Sequence, residues 1–288
     1  MWGTEGIQPS DAVQGGLGDC WLFAAAAAVA QHPRRIERLF EIENLNTAGV
    51  YSVNMYIMGI PVSVTVDDHL TFWSHSPRGL TYGSASPDGG LWMPILEKAA
   101  AKLYGNYELL QGGWMGPAVQ SMTGAPYYET YHEDMSVSDL WNKIDRALQD
   151  GWMMTAGSHV GTGSDQDSND VGVAYRHAYT ILDTKTEGST QMIKMRNPWG
   201  AETYVGPHSD STQDGEWWTD AATYHRSFAW TMGNPDVYDE HMSYFAEFNV
   251  DTPEPMEQMI KITSDVDQTV YISSYTYDAQ HIRNGGCG

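Results

Sequence analysis

QGGLGDCWLFAAAAAVA, residues 14–30, is the stretch on which the reading of this chain turns. From Asp19 to about Gln31 it is rich in alanine and contains no Gly or Pro, which predicts a helix, and Pro33 suggests a stop shortly after His32. Apolar residues run nearly all the way round, so the helix belongs in the centre of a domain rather than on its surface. Cys20 stands at its start, where Gly15, Gly16 and Gly18 let the backbone turn tightly. A helix N-terminus offers unpaired N–H groups and the positive end of the macrodipole, both of which favour a thiolate. The Cys20 N–H and the Gln14 side-chain amide supply donors of the kind a developing oxyanion needs. Taken alone, a cysteine opening a buried helix is an ordinary small packed hydrophobe.

The rest of the chain narrows the chemistry. Its 288 residues, 41% hydrophobic, suffice for one large domain or two small ones. Two cysteines, Cys20 and Cys287, make neither a disulfide framework nor a thiolate metal site, and a reducing, cytoplasmic compartment fits best. No secretory signal is visible, and no apolar run is long enough to span a membrane. A formal charge of −22 repels nucleic acid and anionic membrane surfaces. Such acidity is explained by a solvated surface, as in salt-adapted proteins, unless local clusters of carboxylates collect divalent cations.

Val50–Ile57 and Ile60–Val66 alternate around Met58-Gly59 as a strand pair, and Leu91–Tyr104 forms a second helix. Residues 77–90 are expected as loop, and a glycine-rich passage, GGWMGP, occupies 112–117. Past Thr123 the texture changes: strands over Tyr127–Tyr131 and Met153–Ser158, a helix over Val137–Asp150, then neighbouring strands Tyr175–Thr184 and Gln191–Arg196 flanking a turn. Ser243–Val250, Met259–Ser264 and Thr269–Ser274 also have strand character. The expectation is an α+β fold with a helical part over 1–123, a β-rich part over 124–252 and a cleft between them. Residues 253–288 form a proline-punctuated linker and the possible start of a cut-short β module.

A base for Cys20 must come from far along the chain, because such sets assemble in space. His177, opening an apolar strand beside the loop VGTGSDQDSNDVG (160–172), suits an imidazole facing a cleft, although strand-edge histidines are usually structural. Asn197 enters the turn NPWG, where its amide can accept from an imidazole N–H and Trp199 can shield that bond from water. The other nine histidines show no HExxH pair and read as surface or packing residues, so zinc hydrolysis has no support. Glu97 and Lys98 fit a solvated helical pair, and Cys287 a free thiol in a flexible tail.

Glutamine, glycine-rich approach, cysteine and tryptophan together resemble the nucleophile helix of papain-like proteases. More specifically, QGGLGDCWLFAAAAAVA, LEKAAAKLYGNYELLQGG (96–113), RHAYTILDT (176–184) and MRNPWG (195–200) occur in the order found in the calpain family of cysteine proteases. The resemblance covers about residues 4–250. It implies a papain-like fold and an intracellular, calcium-activated endopeptidase acting on protein or peptide substrates through a thioester. Cys20 would be the nucleophile, His177 the base, Asn197 its orienting partner, and Gln14 an oxyanion donor. Trp199 matches a tryptophan that leaves the cleft on activation.

The resemblance also implies one calcium ion in each half. In the second half the matching positions are Asp210, Asp214 and Glu216, while the glutamate expected early in that loop falls on Thr203, with Glu202 just before it. In the first half Asp11 matches a ligand, backbone carbonyls near Thr4 and Gly6 could join it, and the acid expected before Trp92 is replaced by Gly90, with Asp88 nearest. The core is expected to be monomeric, and the sequence is compatible with its being one module of a larger protein. Two rivals remain open: a calcium-responsive regulatory domain that no longer cleaves, and acyl transfer to an amine instead of water.

Overall fold

A computed structural model describes residues 1–74, 79–161, 164–210 and 212–236. The strands expected after residue 240, and Cys287, lie outside the described residues.

Cys20–Ala30 forms α1, and every residue after Cys20 is buried. The reason is packing on several sides at once. Helix α4 (Met115–Thr123) covers one side, and strands β4 (Met153–Ser158) and β5 (Ala178–Glu187) cover another. The run Ala24–Ala28 lets all three approach closely, while Trp21, Leu22 and Phe23 carry most of the buried apolar area, each contributing about 1.5–3 kcal/mol. Pro33 does not merely stop the helix. It occupies the first turn of a new short one, α2 (Pro33–Glu37), where a missing N–H costs nothing.

The first half continues with the antiparallel pair β1 (Val50–Ile57) and β2 (Ile60–Asp67) and with α3 (Trp92–Tyr104). Met58 and Gly59 make the two-residue turn with φ of 50° and 77°, the positive pair a tight hairpin requires. Helix α4, which the sequence reading did not pick out, begins inside the glycine-rich passage at 112–117. Gly116 and Pro117 fall in its first turn, where proline is tolerated.

The second half is one six-stranded antiparallel sheet in the order β3-β8-β4-β5-β6-β7. It comprises β3 (Tyr128–Tyr131), β4, β5, β6 (Thr190–Arg196), β7 (Glu216–Asp220) and β8 (Phe228–Asn234). Helices α5 (Val137–Gln149) and α6 (Ala221–Ser227) cover one face, and the buried residues there form a second apolar cluster from Leu140 to Phe228. Met153, Ala178 and Met232 instead join the cluster around α1. β5 starts at Ala178, three residues later than expected, because Arg176 takes a left-handed φ of 51° and turns the chain just before His177.

Glu97 is not solvated. It is 1% exposed and faces the equally buried Asp19, whereas Lys98 points out to Asp67 at 2.6 Å. Among the described residues no helix is long and apolar enough to cross a membrane.

Candidate active site

Cys20 and His177 come together because α1 packs on the start of β5. The Ala178 N–H, next in chain to the histidine, approaches the Cys20 sulfur. Thr180 Oγ1 donates to Ala24 O at 2.8 Å, and Gln31 Nε2 donates to Ile181 O at 3.1 Å, tying the same helix to the same strand. Two further bonds join the halves at the rim: Gln14 N to Pro198 O at 2.8 Å and an Arg196 guanidinium N–H to Ser10 O at 3.1 Å.

Asn197 is fully buried, and its Oδ1 accepts from His177 Nε2 at 2.9 Å and from the Trp199 N–H at 3.1 Å. Two N–H groups converging on one oxygen fix which end of the amide faces the ring. The imidazole therefore carries its proton on Nε2, and Nδ1 keeps a free lone pair. Nδ1 is buried and has no hydrogen-bond partner. Trp199 lies over the ring, centroids 4.3 Å apart, and Tyr179 meets it edge-on at 4.8 Å. Ser158, which sequence reasoning did not single out, holds the histidine backbone: its Oγ accepts from His177 N at 3.0 Å and donates to His177 O at 3.1 Å. Nothing in its strand sequence marks that role.

Burial pushes the Cys20 thiol up to about 11, and the Ala178 and Trp21 N–H groups only partly offset it. Burial likewise pulls His177 down to about 4 against the favourable Asn197 bond. The thiolate expected from the helix N-terminus is thus not the stable form here. This is a neutral thiol beside a neutral imidazole, without the hydrogen bond between them.

Gln14 donates one amide N–H to Leu17 O at 2.6 Å, and the primary amide retains a second donor. Gly15 and Gly16 run against residues 81–82, with Gly16 N donating to Thr81 O at 2.9 Å; a Cβ on Gly15 would collide with the Tyr82 carbonyl. The glycine-rich approach is a close-contact requirement as well as a tight turn.

The sequence model of the family described as "Calpain family cysteine protease" matches residues 1–237. The chain belongs to the calpain family. It is similar to "Calpain-type cysteine protease ADL1" of Oryza sativa subsp. japonica, 35% identical over 221 residues, covering 74% of this chain and 10% of that protein. It is also similar to the "Calpain-1 catalytic subunit" of Rattus norvegicus, 31% identical over 231 residues, covering 77% of this chain and 31% of that one. "Calpain clp-1" of Caenorhabditis elegans aligns with 99% of this chain at 28% identity, over 38% of its own length. The chain therefore spans between a tenth and two fifths of these curated relatives, and its mixed α+β architecture is that of a calpain protease core.

In this calpain-family core the acidic residues expected to bind calcium differ between the halves. In the second, the Glu202 and Asp210 carboxyls are adjacent, and Thr212 Oγ1 bridges Asp210 at 2.8 Å and Asp214 at 2.9 Å. Glu202 Oε2 is buried without a partner, and burial, then the charges of Asp210 and Asp214, push its pKa up. These are hard oxygen donors of the kind calcium takes, but Glu202, Asp210 and Asp214 are not gathered here as a group that could hold an ion. Glu216 points elsewhere, to Lys194 at 2.6 Å.

In the first half, Asp11 Oδ2 already accepts from Gln8 N at 2.8 Å and the Trp92 indole at 2.9 Å, and burial raises its pKa. Asp88 is taken up by the Ser86 hydroxyl and by Glu5 N at 2.7 Å. This donor set is engaged in holding the N-terminal segment together and does not fit an ion. Among the described residues no three His, Cys, Asp or Glu side chains are placed as a group that could hold a metal ion.

Proposed function

We propose that this calpain-family domain is a cysteine endopeptidase switched on by calcium, acting on protein or peptide substrates in a reducing compartment. The observation that carries the reading is the Asn197 amide locked onto His177 Nε2, which leaves Nδ1 as an unpartnered base beside the helix that begins with Cys20.

On alignment, His177 Nδ1 takes the thiol proton and Cys20 Sγ attacks the substrate carbonyl carbon. The oxyanion receives hydrogen bonds from the Cys20 N–H and the second N–H of Gln14. Collapse breaks the C–N bond, and His177 returns the proton to the leaving amine. His177 then deprotonates a water that attacks the thioester, releasing the carboxyl product and regenerating the thiol. Asn197 keeps the ring in one tautomer throughout.

Glu202, Asp210 and Asp214 would hold calcium in the second half once brought closer, and its positive charge would offset the repulsion between their carboxylates. Activation requires tighter binding to the aligned arrangement than to the resting one. The raised thiol and lowered imidazole describe that resting arrangement, and Trp199 over His177 is the group that must shift to admit a peptide. A non-cleaving regulatory domain is the second reading, favoured by the missing thiol–imidazole bond.

Hydrolysis of a quenched fluorescent peptide across a calcium titration separates the readings, with Asp210→Asn/Asp214→Asn alongside and an added amine to detect acyl transfer. Calcium-dependent release of free carboxyl product, shifted to at least tenfold higher calcium in the double variant, is expected. No cleavage at any calcium concentration supports the second reading, and new amide product supports transfer.

A further inference from the structure

Asp19 immediately precedes Cys20 and is the N-cap of α1, yet its side chain caps nothing. An aspartate at this position ordinarily uses its carboxylate to accept an N–H from the first turn. Here the side chain, with no solvent exposure, turns to Glu97 on α3, and the two carboxyls lie within hydrogen-bond reach of each other. Glu97 Oε2 also accepts from Gly83 N at 2.9 Å. Both Asp19 oxygens and Glu97 Oε1 lack any other side-chain or neighbouring backbone donor. Among the described residues no cation comes to them: Lys98, next to Glu97, is engaged outside by Asp67 and His69 O. Among the described residues the titratable groups that face the pair are acids, namely the Cys20 thiol and the phenol of Tyr107, on which Tyr82 stacks at 4.0 Å.

Two buried carboxyls in contact without a cation cannot both be ionised, so they share a proton. The hydrogen bonds say where it sits. Gly83 N–H stabilises a charge on Glu97, while Asp19 has no donor except its own backbone N–H. We infer that Asp19 is kept as a neutral carboxylic acid donating to the Glu97 carboxylate, and that the pair are positioning residues for Cys20 because they leave the residue beside the thiol uncharged. Burial raises both carboxyl pKa values, and the Glu97 charge raises that of Asp19 further. An ionised Asp19 would oppose the thiolate one residue away and cancel much of what the helix N-terminus contributes. This role rests on reading Cys20 as the nucleophile, but its test does not need peptidase turnover.

The readout is the rate of Cys20 alkylation by iodoacetamide between about pH 6 and 8 in the full chain, where Asp19 holds its proton, extrapolated to an apparent thiol midpoint and followed by peptide mass so that Cys287 is scored separately. Asp19→Asn supplies an amide N–H to Glu97 as the acid does, so its thiol midpoint stays at the wild-type value. Glu97→Gln donates to Asp19 instead of accepting; Asp19 then ionises and the midpoint rises by about one unit, about a tenfold slower reaction below it. If wild-type Asp19 is charged, Asp19→Asn lowers the midpoint by about one unit and the inference is overturned. Equal shifts in both variants overturn it too. Each variant decides on its own should the other fail to fold. In wild type, a protonated-carboxyl infrared band lost in Asp19→Asn supports the inference at neutral pH, and its absence from wild type defeats it. Peptide cleavage with a lowered Asp19→Asn midpoint would sink this inference alone; alkylation as expected without cleavage would sink the peptidase reading alone.

Discussion

Replacing Asn197 by alanine removes one oxygen on which two N–H groups converge, His177 Nε2 at 2.9 Å and Trp199 N at 3.1 Å. Asn197 and His177 are both buried, so water does not readily replace the lost acceptor. Each orphaned donor costs about 1–3 kcal/mol. The part falling on the imidazole appears in catalysis, because the ring loses the bond that fixes its tautomer; at about 1.4 kcal/mol per tenfold, kcat/KM falls about 10–100-fold. The part falling on the Trp199 turn appears as reduced thermal stability. Asn197→Asp separates geometry from charge: it keeps an acceptor in place but puts a carboxylate against the ring. That opposes the burial now holding His177 down at about 4, so the acid limb of the rate profile moves to higher pH. The assay is peptide hydrolysis from pH 4 to 9 alongside thermal unfolding. An Asn197→Ala enzyme with kcat/KM within twofold of wild type would refute the assignment of Asn197, as would an Asn197→Asp enzyme with an unmoved acid limb.

Two further outcomes follow from buried polar contacts. Thr180→Val deletes the bond to Ala24 O across the halves at nearly constant shape; a loss of about 1 kcal/mol, seen as Tm lowered by about 2–4 °C, is expected in calorimetry, and an unchanged Tm would show that this contact does not hold α1 to the sheet. His132 is pulled from 6.5 down to about 4, first by burial, so its contribution to stability is present above 6.5 and is lost as pH falls towards 4. Over that window the loss is roughly 3 kcal/mol, and His132→Gln should make urea stability less steep in pH by up to one proton; an identical slope contradicts the assignment.

How much of this was legible in the sequence depended on whether the deciding force was local. The α1 helix was readable because alanine propensity and all-round apolarity act within eleven residues. Cys20 and Asn197 were readable because each sits in a short motif whose backbone is fixed by neighbouring Gly or Pro, and His177 because RHAYTILDT matches the family's histidine strand. Strand β8 was not: FAWTMGN lacks clean alternation, and its place between β3 and β4 is set by long-range pairing. Helix α4 was hidden because Gly116 and Pro117 look like loop residues until the first-turn position is known. The Asp19–Glu97 contact joins residues on different helices, and charge alone argued for solvent there. The thiol pKa went against the helix-dipole argument because desolvation, invisible in sequence, outweighs it.

The most direct test is labelling of Cys20 by an epoxysuccinyl inhibitor of thiol proteases across a calcium titration, with Cys20→Ala and His177→Ala as controls. The account predicts labelling at Cys20 that rises with calcium and is lost in both variants. Labelling that survives His177→Ala unchanged, or none in the wild type at any calcium concentration, would contradict it.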